Sequence, residues 1–289
     1  MILWCDGAHT PEENMRRDVA LLAGLEGAPE GEAPGGTHAG TSRRASGAAS
    51  GEGRPEAVLR LFRFAPHGIT LGRAQNPSQA LDLDRCLADG VPWAVRPTGG
   101  RAIFHAEEWT YSLAASIDDP RWGGSLSQAY ERAATLVLRS LVRLGVPAAL
   151  APQRAPGSAG RRASADLSGA ACFAATARHE IVLGGRKLVG SAQRRGARAL
   201  LQQGSVLLGS GHERLADYLA VPEGERAAVR VALARSAAHA GGALGPQPPL
   251  ARWADALMAE LREGTRRIDG EAGALLLTPA EGAFYTARA

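Results

Sequence analysis

Apolar and polar positions alternate along the chain with two different periods. Short apolar runs, some broken by single polar residues, predict strands at residues 1–5, 58–64, 93–96, 102–105, 109–115 and 200–208. Helical spacing appears at residues 15–25 and most clearly at 125–144, where one apolar face ends at Gly145. Strands therefore dominate the first two thirds of the sequence, and helices are interspersed among them.

Residues typical of helix starts and of tight turns support this assignment. Thr10, Pro11 and Glu13 have the residue types expected at the start of a helix, namely an N-cap, a first-turn proline and an acidic third position. The paired glycines at 184–185 separate two apolar runs, 179–183 and 186–192, and predict a tight hairpin. Further helices are predicted at 213–219, 223–238 and 249–267, so the chain as a whole is expected to have an α+β fold.

Composition changes sharply at residues 26–56, which are rich in Gly, Ala, Glu, Ser and Pro and have no apolar period. We interpret this stretch as a flexible, low-complexity insertion rather than a domain boundary. Residues 1–25 and 57–220 are then expected to form one domain, and residues 221–289 a helical C-terminal extension packed on the same domain.

Charge and cysteine content exclude several functional classes. The net charge is +4, but the arginines are dispersed and only 5% of residues are aromatic, so the sequence does not favour a nucleic-acid partner. Three widely spaced cysteines and seven scattered histidines predict neither a disulfide framework nor a metal site. Without a signal peptide or a membrane-length apolar run, we expect a cytoplasmic protein that does not bind membranes, with acidic protein partners and a monomeric state.

Lys187 is the only lysine in a chain that has 32 arginines. The two residue types are interchangeable as solvated charges, but not where a compact, titratable amine is needed. The lysine follows the paired glycines, in Gly-Arg-Lys-Leu-Val-Gly-Ser-Ala-Gln at residues 185–193. A catalytic amine is one interpretation, and a surface lysine on a hairpin is the other.

A second candidate is Arg-Pro-Thr-Gly-Gly-Arg-Ala-Ile-Phe-His at residues 96–105. Its glycines allow close approach of backbone to a ligand, and its two arginines offer forks for a carboxylate or phosphate. It lacks the Gly-Lys-Ser/Thr ending of a Walker loop, and a simple turn between strands is the alternative. His105 has a structural alternative, and Glu107 and Glu108 are either an acid–base pair or a solvated surface pair.

Cys172 lies 15 residues before Lys187. A nearby ammonium stabilises a thiolate, and a thiolate attacks acyl thioesters to form an acyl-enzyme, so a Cys/Lys dyad fits acyl transfer. A buried structural thiol is the alternative. In the run at 201–208, Gly204 stands where another group is expected to approach the strand closely.

Together these segments resemble the lipoate-protein ligase and protein octanoyltransferase family, which is related to the biotin-protein ligases. The two motifs at 96–102 and 185–193 carry most of that resemblance. It implies an α+β, biotin/lipoate ligase-like catalytic domain with mixed, largely antiparallel sheets flanked by helices. It also implies that Cys172 accepts octanoyl from octanoyl-acyl carrier protein and that Lys187 orients the carbonyl and assists proton transfer. The substrate-binding residues implied are Arg96, Thr98, Gly99, Gly100, Arg101, His105, Gly190, Ser191, Ala192 and Gly204.

The acceptor implied by the resemblance is a lysine of a lipoyl domain or of a glycine-cleavage H protein, and no cofactor is required. An ATP-dependent lipoate-protein ligase, which would need ATP and magnesium, and a non-catalytic homologue that binds acyl groups or carrier proteins remain as alternatives. The sequence departs from the family at Val95, where a second arginine is frequent, and at Gln203, where a histidine is common.

Overall fold

The main sheet organises the molecule. The computed structural model describes residues 1–27, 57–151 and 179–277, which form an α+β fold. Eight strands of these residues make one mixed sheet in the order β11-β1-β2-β6-β10-β9-β8-β7. Their bounds are β1 Ile2–His9, β2 Ala57–Phe64, β6 Glu108–Ser116, β7 Ala148–Leu150, β8 Ile181–Leu183, β9 Arg186–Arg195, β10 Ala199–Leu207 and β11 Arg266–Asp269. β1 pairs in parallel with both of its neighbours, and the other pairs are antiparallel.

A smaller sheet has three strands in the order β4-β3-β5. Their bounds are β3 Gly68–Leu71, β4 Trp93–Val95 and β5 Ile103–His105. The loop that joins β4 to β5 contains the Arg-Pro-Thr-Gly-Gly-Arg motif. The small sheet therefore fixes both ends of that loop.

Several helices begin at capping side chains, and the cap predicted at Thr10 is one of them. Their bounds are α1 Pro11–Glu26, α2 Pro77–Ala80, α3 Leu83–Ala88, α4 Leu126–Arg143, α5 Leu215–Tyr218, α6 Glu223–Ser236, α7 Gly241–Leu244 and α8 Leu250–Glu260. Thr10 Oγ1 accepts a hydrogen bond from the Glu13 amide at 3.2 Å, and Ser125 and Gln128 form a reciprocal capping box at the start of α4. The helices predicted at 15–25 and 125–144 are confirmed. No helix in these described ranges is long and apolar enough to cross a bilayer.

Each face of the main sheet is covered by different elements. On one face, α4 and α8 bury a core that includes Trp109, Leu113, Val137 and Trp253. On the other face, α1 packs over the central strands and beside the small sheet, with Met15 among its buried residues. Because α1 covers only part of this face, a gap remains between the two sheets.

The C-terminal part differs from the sequence prediction in more than one element, since the short helix α7 at Gly241–Leu244 was not predicted and the last predicted helix ends early. The helix predicted at 249–267 ends at Glu260, and Arg266–Asp269 instead forms β11, which pairs in parallel with β1. These four residues are charged or half-buried and have no apolar period, so only backbone pairing reveals the strand. The insertion predicted at 26–56 lies outside the described residues except for Glu26 and Gly27.

Candidate active site between the two sheets

A narrow cavity of about 30 Å³ lies between the main sheet and the small sheet. This volume is equivalent to roughly two water molecules, so the walls lie close together. Six sequence-predicted site residues line it: Arg96, His105, Gly190, Ser191, Ala192 and Gly204. The other lining residues are Met15, Phe62, Phe64, Thr70, Ile103, Thr110, Gln203 and Ser205.

Arg96 is buried and holds its own loop together. Its Nε and Nη2 donate to the carbonyl of Gly99 at 3.1 and 2.8 Å, and Nη2 also donates to the carbonyl of Arg101 at 2.8 Å. Its Nη1 donates to the carbonyl and hydroxyl oxygens of Thr70 at 3.2 and 3.3 Å. The five N–H groups of a guanidinium are thus matched by five protein contacts. In this structure Arg96 organises the loop instead of presenting an open fork to an anion.

Thr98 is buried and connects the loop to the main sheet. Its Oγ1 donates to Oε1 of Gln203 at 2.6 Å, and Nε2 of Gln203 donates to Oδ2 of Asp18 at 2.6 Å. Thr98 itself is absent from the cavity wall formed by the described residues, where Gln203 takes its place.

The two glycines of the loop have different surroundings. Gly100 has a φ of +94°, a conformation that strains any residue with a side chain. Gly99 is exposed, and a Cβ placed on it would meet no atom within 4 Å. Beneath the loop, a Cβ on Gly72 would lie 1.9 Å from the Gly100 carbonyl oxygen. The close backbone approach is therefore between Gly72 and Gly100, whereas the space beside Gly99 is open.

His105 is buried at the centre of a polar cluster. Its Nδ1 lies 2.5 Å from Oε1 of Glu108, and its Nε2 lies 2.6 Å from the hydroxyl of Thr70. In a neutral imidazole, donation of Nδ1–H to the Glu108 carboxylate leaves Nε2 to accept from the Thr70 hydroxyl, which satisfies both ring nitrogens. The ring stacks on Phe64 at a centroid distance of 3.8 Å.

Glu108 is 2% exposed, so of the two sequence interpretations the solvated one is wrong for this residue. Its Oε1 also accepts hydrogen bonds from the hydroxyls of Thr110 and Ser205, at 2.8 and 3.1 Å. Its Oε2 is buried without a hydrogen-bond partner among the described residues. Glu107, by contrast, accepts a hydrogen bond from the Gly211 amide at 2.9 Å and stabilises a neighbouring turn.

Lys187 is 3% exposed and forms an ion pair with the equally buried Glu180. The β8–β9 hairpin positions the pair, because Val182 lies opposite Lys187 in the strand register and the turn at 184–185 closes the loop. The interpretation of Lys187 as a surface lysine is therefore wrong. Among the described residues, Gly190 is the lining residue nearest to Lys187 in sequence, three positions further along β9.

Strands β9 and β10 form one wall of the cavity. Gly204 lies opposite Ser191 and Tyr111 in the strand register, and a Cβ on it would meet the Tyr111 ring at 2.4 Å and Ser191 Oγ at 2.6 Å. The group that approaches Gly204 is thus protein, not ligand. Tyr111 and Ser191 share a hydrogen bond of 3.0 Å, and burial raises the pKa of the Tyr111 phenol.

Two predicted site residues remain, Arg101 and Cys172, and only Arg101 lies among the described residues. Arg101 is half-buried, and its carbonyl accepts from Arg96. Cys172 lies outside the described residues, so its predicted role as nucleophile stays a prediction. The site residues that sequence reasoning did not single out, such as Asp18, Thr70 and Ser205, carry no local motif; they are recognisable only after distant strands are paired.

One group of side chains has spacing suited to a metal ion. Oxygen or nitrogen atoms of Asp6, His9 and Glu271 lie within 4.8 Å of one another. However, Arg17 donates to Asp6 at 2.6 Å and to Glu271 at 3.0 Å, so a guanidinium already neutralises both carboxylates. This chemistry fits an ion-pair cluster better than a cation site.

The chain is similar in sequence to proteins of one known family. Residues 45–262 match the family model for the lipoyl protein ligase A/B catalytic domain. The chain is 37% identical over 174 residues to "Octanoyltransferase LipM" of Kyrpidia tusciae, which covers 60% of this chain and 62% of that relative. It is 36% identical over 178 residues to the LipM of an Exiguobacterium species, covering 62% and 63%. The match thus spans about three fifths of the length of these curated relatives.

Among solved structures, the fold resembles a bipartite lipoate protein ligase from Thermoplasma acidophilum. The TM-score is 0.62 at 18% identity, and the match covers 95% of this chain and 89% of that chain. At this identity the likeness concerns the fold. The family model covers most of the sequence, including both glycine-containing motifs and every cavity-lining residue except Met15, so the chain belongs to the lipoyl protein ligase A/B catalytic domain family.

Proposed function

We propose that this protein transfers an octanoyl group from octanoyl-acyl carrier protein to a lysine of a lipoyl domain or a glycine-cleavage H protein. The observation that carries the proposal is the burial of the only lysine, Lys187, in an ion pair on the strand that continues into the cavity wall. Burying two charges is costly because both are removed from water. A buried ion pair is therefore expected where excellent partners offset that cost or where a function requires the pair. The names of the curated relatives support the same activity.

The proposed reaction has two acyl-transfer steps. The Cys172 thiol loses its proton and attacks the thioester carbonyl of the donor as a thiolate. The carrier sulfur leaves as a thiolate that takes up the proton lost by Cys172, and an octanoyl-enzyme thioester forms. The neutral amine of the acceptor lysine then attacks that thioester, forming an amide and restoring the Cys172 thiol. Because the acyl group arrives already activated as a thioester, neither step needs ATP.

Lys187 has an electrostatic role in this proposal. The Lys187 ammonium donates a hydrogen bond to the Glu180 carboxylate, which holds it in one position. A positive charge that is already in place stabilises the oxyanion that develops on an acyl carbonyl during transfer. A guanidinium is bulkier and planar and does not reproduce that geometry.

The cavity between the sheets is the proposed site for the acyl chain, and it must widen to admit one, because its volume of about 30 Å³ equals that of roughly two water molecules. Met15, Phe62, Phe64 and Ile103 provide apolar walls, while the β4–β5 loop and His105 contribute polar groups. A mostly apolar cleft with a few fixed polar groups is the usual form of a small-ligand site. The net charge of +4 favours encounter with acidic carrier proteins.

The test is intact mass spectrometry of the purified protein mixed with octanoyl-acyl carrier protein in the absence of ATP. We expect an octanoyl adduct that hydroxylamine removes and that Cys172→Ser abolishes. Cys86→Ser is the matched control, because Cys86 is a buried thiol behind the small sheet and its pKa is raised by burial to about 11. It should retain the adduct.

Two results would contradict the proposal. If no adduct forms, and octanoylation of an acceptor requires ATP, magnesium and free octanoate, the protein is an ATP-dependent ligase. If acyl-carrier protein or octanoate binds but no acceptor is modified under either condition, the protein is a non-catalytic homologue.

A further inference from the structure

Gln203 occupies an unusual position in β10, because both ends of its amide are used by charged or hydroxyl groups from other elements. Its Oε1 accepts from Thr98 at 2.6 Å, and its Nε2 donates to Asp18 at 2.6 Å. The side chain is 6% exposed and lines the cavity. An amide that is held at both ends in a buried site has a single orientation.

The carboxylate at one end of this bridge is rigidly held. Asp18 is fully buried on α1, and its Oδ1 accepts from Arg60 at 2.8 Å and from Ser112 at 2.7 Å. Arg60, also fully buried, donates in addition to Asp6 at 2.7 Å and to Asn14 at 2.6 Å. Helix α1 is thereby joined to β1, β2 and β6 through buried charges, which move little when their partners are all satisfied.

At the Thr98 end of the bridge through Gln203 lies the loop that contains Gly99. Arg96 fixes the backbone of this loop from one side, while Thr98 is tied to Gln203 on the other side. The Thr98 carbonyl also accepts from the Arg73 amide at 2.9 Å. Gly99, between these anchors, faces open space.

We propose that Gln203 is a positioning residue, which transmits the fixed position of the Asp18 carboxylate to Thr98 and so holds the residue 97–101 loop in place for acyl transfer. Its effect on catalysis rests on the proposed function, whereas its effect on the loop does not. The chemistry needs a donor toward Asp18 and an acceptor toward Thr98, a pair of properties that a neutral imidazole also has.

The experiment compares four variants: Gln203→Leu, Thr98→Val, the double variant and Gln203→His. Hydrogen–deuterium exchange of peptides covering residues 96–101 reports on the loop, and octanoyl transfer reports kcat and KM separately. Gln203→Leu should accelerate exchange in the loop and lower kcat by roughly 10- to 100-fold, because it displaces the loop. The KM for the carrier protein should change little, because the buried Gln203 side chain presents no surface to that protein. Gln203→His should retain most of the wild-type protection of the loop from exchange and most of the wild-type kcat.

The double variant decides whether the two residues act through one connection. If they do, Thr98→Val and Gln203→Leu together should be no worse than the more severe single variant, whereas independent effects would multiply. Thr98→Val also keeps the test valid if Gln203→Leu does not fold, because it breaks the same bridge from the loop side.

Gln202→Leu is the matched control. Gln202 is the preceding residue of the same strand and is equally buried, but its amide donates to Tyr111 on the opposite face of the sheet. It should lower stability without changing exchange in the loop. Unchanged exchange in both Gln203→Leu and Thr98→Val would overturn the proposal. Absence of transfer by the wild-type protein would instead overturn the proposed function, and the exchange data would still decide the role of Gln203.

Discussion

At the scale of single residues, Lys187 and Arg186 provide an internal comparison of lysine with arginine. Lys187 is buried with Glu180, whereas Arg186 is exposed on the same strand. We predict that Lys187→Arg lowers the rate of octanoyl transfer by at least roughly 100-fold, because the larger guanidinium retains charge but not the position of the ammonium. Steady-state kinetics with octanoyl-acyl carrier protein provide the measurement.

Arg186→Lys is the control for that substitution. It exchanges the same two residue types one position away at a solvated site and should leave the rate and the melting temperature unchanged. If Lys187→Arg folds normally and retains the wild-type rate, the argument from the single lysine fails, and Lys187 is a structural partner of Glu180.

Two glycines of the site are predicted to respond differently to the same substitution. Gly204→Ala should destabilise the protein by about 1–3 kcal/mol, since its Cβ would overlap the Tyr111 ring and Ser191. Gly99→Ala should fold with little loss of stability, because it faces open space, but should slow acyl transfer if the substrate occupies that space. Denaturant unfolding and transfer kinetics separate the two effects. Equal loss of stability in both variants would contradict this assignment.

The sequence identified six of the fourteen residues that line the cavity but not how they are arranged. The glycine at 204 correctly indicated a close approach, yet the approaching group is Tyr111, which lies in a strand 93 positions earlier. Likewise, nothing local distinguishes Glu108 from Glu107; Glu108 is buried because Ser205 and His105 surround it after β6 and β10 pair. Periodicity reports which face a residue occupies, not which distant side chain it meets.

At the scale of elements, the start of α1 has a measurable acid sensitivity. Glu13 binds Arg16 and Arg17, at 2.7 and 2.6 Å, and the hydrogen bond from Arg16 is the largest of the effects that lower its pKa from 4.5 to about 2. A carboxyl whose pKa is lower in the folded state stabilises the fold above pH 4.5, and this contribution is lost as the pH falls through about 2.

We therefore predict that Glu13→Gln is less stable than the wild type at pH 6, by less than about 1 kcal/mol because the pair is partly solvated. The difference should shrink between pH 5 and pH 2 and should also decrease in high salt. Urea unfolding at several pH values gives the measurement. A difference that stays constant over this range would show that Glu13 acts through helix propensity and not through its charge.

Elements with local signals were predicted well, and elements defined by distant partners were not. The cap at Thr10, the helix stop at Gly145 and the glycine turn at 184–185 each specify structure within a few residues. Strand β11 has no such signal, because it exists through pairing of Arg266 with Ile2 at the other end of the chain. A four-residue edge strand of this kind contributes no apolar period of its own.

At the scale of the whole molecule, the site depends on the separation of two sheets. Helix α1 sets that separation, because it is joined to the main sheet by the Asp18–Arg60 ion pair and contributes Met15 to the cavity wall. Under the proposed function, the apolar side chains that face the cavity would set the length of acyl chain that it accepts. Methionine is the most adaptable of them, since it is unbranched and has three rotatable bonds.

We predict that Met15→Ala lengthens the acyl chain that the protein prefers. The substitution removes side-chain atoms from the part of the cavity wall that α1 contributes and should raise the ratio of dodecanoyl to octanoyl transfer, at a cost in stability of about 2–5 kcal/mol. Leu21→Ala is the control, because Leu21 is a buried residue of the same helix that packs against Ile2 and Trp4 outside the cavity. It should lose comparable stability and keep the wild-type preference. If Met15→Ala also keeps that preference, the chain binds elsewhere, because enlarging an acyl-binding cavity by three heavy atoms must change the relative affinity for longer chains.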